Sequence, residues 1–154
     1  MGWTALTTLD AALANVTALG FDTAPLIYFI ERHIPSVALL RELFERVSSG
    51  AIAGYTSTVT LTEILTQPDQ TQNTTLVHRY RTLLLRSRNF TVVPIDAVIA
   101  DRAAEIRAQY RLRTPDALQL ATAMHAGCEA FLTNDHALQR VTDIRVLILD
   151  ALEQ

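Results

Sequence analysis

The stretch ALGFDTAPLIYFIE, residues 18–31, sets one acid between two apolar runs. VTALGF (16–21) has the composition of a strand and ends at Asp22. Pro25 suits the first turn of a helix that continues through LIYFIE. A strand passing directly into a helix is the opening unit of an α/β fold. The acid between them needs an explanation of its own. An ionised carboxylate taken from water without a partner is strongly unfavourable, so Asp22 must have a partner or a task.

Reading outward, the unit repeats. SVALLRELFERVSSG (36–50) starts as a helix at Ser36, stops at Gly50, and carries Val37, Leu40, Leu43, Phe44 and Val47 at helical spacing. AIAGYTS (51–57) is strand-like and TVTLTEILTQ (58–67) helical, with Pro68 close behind it and a polar, mobile loop expected over 69–75. LVHRYRTLLLRSR (76–88) is helical, FTVVP (90–94) a strand, and Asp96 can cap a helix bearing Ile99, Ala103, Ile106 and Tyr110. TPDALQLATAMHAG (114–127) is the clearest helix, with Thr114 as cap, Pro115 in the first turn and Gly127 as stop. AFLT (130–133) and IRVLIL (144–149) are strands on either side of a brief helix. This alternation predicts a three-layer α/β/α fold, with a central parallel sheet of four or five strands. Residues 1–15 are expected to form an N-terminal helical extension, with a short helix over 4–15, and residues 16–154 a single domain.

Composition narrows the chemistry. A chain of 154 residues, 49% hydrophobic, can bury roughly two-thirds of its unfolded surface without staples. The single cysteine, Cys128, allows neither an intrachain disulfide nor a cysteine-rich zinc site. A reducing cytoplasm is the expected compartment. No basic residue precedes the apolar positions of the N-terminus, and no apolar run approaches the ~20 residues that span a bilayer, so no membrane association is expected. All 13 basic residues are arginine. A P-loop and a Schiff-base mechanism each need a lysine, and the chain has none. Arginine suits bidentate phosphate contact, although coding bias explains the same bias equally well.

In open α/β sheets ligands bind beyond the carboxyl ends of the strands. Four acids map to that edge or near it: Asp22 after the first strand, Glu63 in the helix after strand 51–57, Asp116 in the first turn of helix 115–126, and Asp135 after strand 130–133. Each also has an ordinary reading. Asp116 could simply favour the positive end of its helix, Asp135 could be a turn residue, and Glu63 a solvated helix position. Asp22, flanked by apolar residues, is hardest to explain in that way. No cysteine or histidine pair stands at ligand spacing, and an oxygen-only set suits Mg²⁺ or Mn²⁺ better than zinc or copper. His33, His78, His125 and His136 read as surface or capping residues, and Trp3, Tyr28 and Phe29 as packing.

With these elements in hand, the chain resembles the PIN-domain family, particularly the VapC-like toxins of bacterial toxin–antitoxin pairs. The resemblance runs from about Leu19 to Leu149, on FDTAPLIYFIE, TSTVTLTEIL, RTPDALQLATA and FLTND. It implies a parallel sheet between helices, with acids gathering one or two Mg²⁺ or Mn²⁺ ions for RNA cleavage. Asp22, Glu63, Asp116 and Asp135 match the family's acidic positions, and Thr133 its supporting small polar residue. There are two departures. The first acid normally lies close to the start, whereas Asp22 follows a twenty-residue extension. The last acid often lies a few residues past the Asn-like position, whereas Asp135 follows Asn134 directly and position 138 is Leu. Asn134 could therefore share the work of Asp135.

The resemblance implies a divalent-metal-dependent endoribonuclease leaving 5′-phosphate and 3′-hydroxyl ends, the toxin of a toxin–antitoxin pair, with a cognate antitoxin and a homodimeric state. Asp22 and Asp116 are the first choices as ligands; Glu63 could ligate or position the attacking water. A housekeeping PIN nuclease and an inactive PIN-like module binding RNA or protein are the alternatives. Without the four acids, 12 acids face 13 arginines, and two divalent ions would move the formal charge from −3 to +1. RNA would then be held by local arginines: Arg111 and Arg113 just before Asp116, with Arg79 and Arg86 behind them. The apolar faces of 24–30 and 36–47 could form a dimer surface or belong to the core.

Overall fold

The computed structural model describes residues 5–154. In chain order the elements are β1 (Thr7–Thr8), α1 (Leu9–Ala12), β2 (Ala18–Phe21), α2 (Thr23–Ile30), α3 (Ser36–Ser48), β3 (Ala53–Ser57), α4 (Thr58–Gln70), α5 (Thr74–Arg86), β4 (Phe90–Val93), α6 (Ala97–Tyr110), α7 (Thr114–His125), β5 (Ala130–Thr133), β6 (Arg145–Ile148) and β7 (Leu152–Glu153). Short 3₁₀ turns occupy His136–Arg140 and Leu149–Ala151. Five strands form one parallel sheet in the order β4-β3-β2-β5-β6. The chain runs outward from β2 through β3 to β4, then returns to the other side of β2 as β5. The order therefore reverses at β2/β5, and the crevice above the carboxyl ends of these two strands is where an open sheet of this kind takes its ligand.

Strand alternation divides the core into two layers. Leu19 and Phe21 of β2 join Ala130 and Leu132 of β5 beneath α2, α3 and α5, where Phe21, Phe29, Phe44 and Phe90 pack together with ring centroids 4.3–6.2 Å apart. Phe131 faces the opposite layer with Ala117, Leu120 and Ala121 of α7 and Ile99, Ala103 and Ile106 of α6. Gly20 lets α7 lie directly on β2: a Cβ there would stand 2.6 Å from the Cβ of Ala123. Leu26, Leu40, Leu43, Phe44 and Val47 are buried, so the apolar faces of 24–30 and 36–47 belong to the core. Tyr28 stacks on His33, and all four histidines are exposed.

Two local expectations need correction. The short helix expected over 4–15 is a two-residue strand followed by a four-residue helix; residues 1–4, including Trp3, lie outside the described residues. Thr8 caps α1 by accepting from the Ala11 N–H at 3.2 Å, and β1 pairs in parallel with β7, Thr7 opposite Leu152. That partner lies at the far end of the chain, beyond the reach of local periodicity. Leu9, Ala12, Leu13 and Val16 are buried, so this segment is packed onto the domain. The second correction concerns Pro68, which lies inside α4 and is buried. The polar loop expected over 69–75 shrinks to a turn at 71–73, after which Asn73 caps α5 by accepting from the Leu76 N–H at 3.1 Å. Burial of the proline ring here outweighs the helix-interior penalty that sequence rules assign to it.

Candidate active site

Each acid reaches the sheet edge through its own element. Asp22 is the N-cap of α2: its backbone N–H still donates to Leu132 O at 2.8 Å, as a last rung between β2 and β5, while its Oδ1 accepts from the Thr23 N–H at 2.9 Å. Its Oδ2 accepts from Thr133 Oγ1 at 2.7 Å. Thr133 is fully buried and also accepts from the Asp135 N–H at 3.1 Å, so one hydroxyl ties the first acid to the backbone of the last. The half-buried Asp22 carboxyl is held above the ordinary aspartate range. Burial is the main cause; hydrogen bonds from Thr133 and Thr23 oppose it, and the charges of Asp116 and Glu63 add to it. The structure thus brings Asp116 and Glu63 within electrostatic reach of Asp22.

The remaining acids are engaged locally. Glu63 is exposed on α4 and its Oε1 accepts from Thr23 Oγ1 at 2.8 Å. Asp116, in the first turn of α7, faces Arg113 Nε at 3.3 Å. Asp135 caps the 3₁₀ turn, its Oδ1 accepting from the Ala137 N–H at 3.0 Å. Asn134 turns elsewhere, its Oδ1 accepting from the Asp150 N–H at 3.1 Å. Among the described residues no three acidic, histidine or cysteine side chains are gathered as a metal-binding group. The donor set nevertheless suits a hard divalent cation. It is made of carboxylate oxygens only, and a half-buried carboxyl raised by burial and by two neighbouring acids is a position that added positive charge would relieve. Asp22, with Asp116 and Glu63 within electrostatic reach of it, is the acid about which such an ion would be held.

Among the arginines, Arg113 pairs with Asp116 and is 79% exposed. Arg111 takes a left-handed conformation (φ 53°) that ends α6. Arg79 is occupied at the end of α2, donating to Ile30 O at 3.0 Å. Arg86 sits with it along an open cleft on α5.

Sequence reasoning missed the layer beneath the acids. Gln119, Thr60, Ser57 and Thr56 are buried polar residues below Thr23. Gln119 Nε2 donates to Thr60 Oγ1 at 2.7 Å and to Thr23 Oγ1 at 3.2 Å, and Ser57 Oγ donates to Gln119 Oε1 at 2.5 Å. Among the described residues no buried side-chain polar atom lacks a partner. The available signal was a lone amide in the apolar run ALQLATA (117–123), combined with the hydroxyl-rich TSTVT (56–60). It also missed Glu129, which accepts from the Thr17 and Ala18 N–H groups at 3.1 and 2.8 Å and fixes the opposite end of β2.

A family model described as the PIN domain matches residues 21–144, from the end of β2 to just before β6. The chain belongs to the PIN-domain family. No curated protein matches it. Among solved structures this PIN domain is similar to a chain of VapBC2 from Rickettsia felis bound to a DNA fragment from their promoter (14% identity, 85% of this chain and 98% of that one, TM-score 0.69). It is similar also to a chain of a toxin–antitoxin complex from Klebsiella pneumoniae (25% identity, 86% and 97%, TM-score 0.64). A third is DNA-bound VapBC from Salmonella typhimurium (19% identity, 87% and 98%, TM-score 0.65). The PIN fold expected from the sequence, with its five-stranded parallel sheet between helices, is the fold observed. No helix among the described residues is long and apolar enough to cross a membrane.

Proposed function

We propose that this PIN domain is a divalent-metal-dependent endoribonuclease and the toxin of a toxin–antitoxin pair, acting in the cytoplasm. The observation that carries the reading is Asp22 at the β2/β5 crevice, fixed by Thr133 and within electrostatic reach of Asp116 and Glu63. Asp22 and Asp116 are the proposed ligands of Mg²⁺ or Mn²⁺, one ion or two, with Asp135 completing the set and Thr133 supporting it. Such an ion supplies positive charge that lowers the pKa of water and offsets charge building on the phosphate. Glu63, with one carboxylate oxygen accepting from Thr23, is proposed to join them as a ligand, a position from which it can also orient the attacking water. The products are 5′-phosphate and 3′-hydroxyl ends. Arg113, paired with Asp116, and Arg111 are proposed to take the RNA backbone, with Arg79 and Arg86 as further candidates.

The toxin assignment rests on likeness to the toxin–antitoxin complexes above, two of them DNA-bound, and it brings an antitoxin partner and a homodimeric state as further expectations. RNA cleavage by the parent and by Asp116→Asn, with Mg²⁺, with Mn²⁺ and with EDTA, tests the enzyme. Cleavage that needs the divalent ion and disappears in the variant is expected. Cleavage surviving EDTA or Asp116→Asn would overturn it. A parent that binds RNA without cutting it would favour an inactive binding module. Co-purification with the product of a small neighbouring reading frame separates toxin from housekeeping nuclease.

A further inference from the structure

The buried polar layer fixes the direction of every hydroxyl in it. Thr56 donates its hydrogen to Phe21 O at 2.9 Å, so across the 2.8 Å contact between Thr56 and Thr60 it is Thr60 that donates. Both hydrogens of the Gln119 amide are then accounted for, on Thr60 Oγ1 and Thr23 Oγ1. Thr23, accepting from Gln119, has two acceptors for its own hydrogen, Thr60 Oγ1 at 3.2 Å and Glu63 Oε1 at 2.8 Å, and the nearer, charged oxygen takes it. Reversing the amide would remove the acceptor of the fully buried Ser57 hydroxyl. It would also draw the Thr23 hydrogen towards the Gln119 oxygen and turn a lone pair onto the Glu63 carboxylate. Only one amide orientation satisfies Ser57 and Glu63 together.

We propose that Gln119 is a positioning residue: its buried amide sets the Thr23 hydroxyl as a donor to Glu63 and so holds Glu63 in the orientation that serves the Asp22–Asp116 edge. This rests on the metal-dependent reading above. Gln119 touches no acid itself and acts through Thr23.

Mn²⁺ binding to the full chain without RNA, read by electron paramagnetic resonance of the free ion, tests it. Residues that orient metal ligands change metal affinity by about 10–100-fold when removed. Gln119→Leu and Thr23→Val are each expected to weaken Mn²⁺ binding at least about 10-fold. Thr23→Ser, which keeps the donor, is expected to recover the affinity lost in Thr23→Val. In a Glu63→Gln background, Gln119→Leu should add little further loss, because both act on one carboxylate. Loss from general loosening would instead add in full. A folded Gln119→Leu chain with parental Mn²⁺ affinity would overturn the role of Gln119 alone, and so would full additivity with Glu63→Gln. Failure of Thr23→Ser to recover what Thr23→Val loses would overturn the donor. A parent that binds no Mn²⁺ would overturn the metal reading together with it.

Discussion

The hydroxyl of Thr133 donates to Asp22 Oδ2 at 2.7 Å, joining two residues 111 positions apart across the crevice where the strand order reverses. Thr133 is buried on every side, so this bond sets where the Asp22 carboxylate points. Thr133→Val keeps the shape and deprives both Asp22 and the Asp135 N–H of their partner. An unfolding free energy lower by about 1–3 kcal/mol is expected, with most of the loss restored in Thr133→Ser. Urea denaturation of the two variants measures it.

Asp22 also sets a pH dependence in the metal-free chain. Its carboxyl is raised in the fold, chiefly by burial and further by Asp116 and Glu63, so the native state holds that proton more tightly than the unfolded chain. This contribution to stability is therefore present below the ordinary aspartate value, and is lost as pH rises from there through the raised native value. Asp22→Asn removes the loss and retains a capping side chain. In EDTA the substitution should raise Tm more at pH 7 than at pH 4. Equal shifts at both pH values would contradict the assignment.

A divalent ion should reverse that penalty. At a free Mn²⁺ concentration 100 times its Kd, binding stabilises the folded chain by about 2.7 kcal/mol. For a domain of this size that is a rise in Tm of roughly 5–10 °C. Thermal denaturation with and without Mn²⁺ is expected to show it in the parent and to show little of it in Asp22→Asn or Asp116→Asn.

Arg113 is paired with the carboxylate proposed to hold the ion. Its side chain is 79% exposed, so the pair with Asp116 contributes less than about 1 kcal/mol to stability. Arg113→Gln should leave Tm nearly unchanged, tighten Mn²⁺ binding, and weaken RNA binding with a salt slope smaller by about 1. Opposite signs for ion and RNA in one variant would separate its two roles. Unchanged RNA affinity would remove Arg113 from the phosphate contacts.

Gly20 controls how closely α7 approaches the sheet. The Cβ of Gly20→Ala would meet Ala123 Cβ at 2.6 Å, and overpacking of this kind costs about 1–3 kcal/mol. Pairing it with Ala123→Gly removes the closest contact and should recover part of the loss, the remainder being the tight approach to Phe131 Cδ1 at 3.1 Å and the helix penalty of glycine, about 1 kcal/mol. Chemical denaturation of the single and double variants tests this.

What was legible in the sequence was whatever local pattern carries. The run VTALGF ending at Asp22 and the Gly127 stop each mark a boundary by residues within one turn of it, and both ends stand where they were read, whereas α7 starts one residue early: Arg113 is the extended residue before it, and Thr114, expected as the cap, lies inside the helix and makes no capping bond. The β1 segment was not legible because its partner is β7, at the other end of the chain. Pro68 misled because its helix is held by burial and not by intrinsic preference. Gln119 was passed over because a single amide hardly disturbs an apolar helix, and its significance comes only from the three hydroxyls that α4, β3 and α2 bring to it.

The strand order has a kinetic side as well. β2, β3 and β4 and the helices between them form one contiguous stretch of chain, whereas β5 must close a loop of more than a hundred residues before it can pair with β2. Loop-closure entropy places such pairing late in folding. A chain emerging from the ribosome therefore carries Asp22 and Glu63 long before Thr133 and Asp116 can join them. Whatever chemistry the crevice performs begins only when the last third of the chain has docked, which makes completion of folding its own safeguard against premature activity.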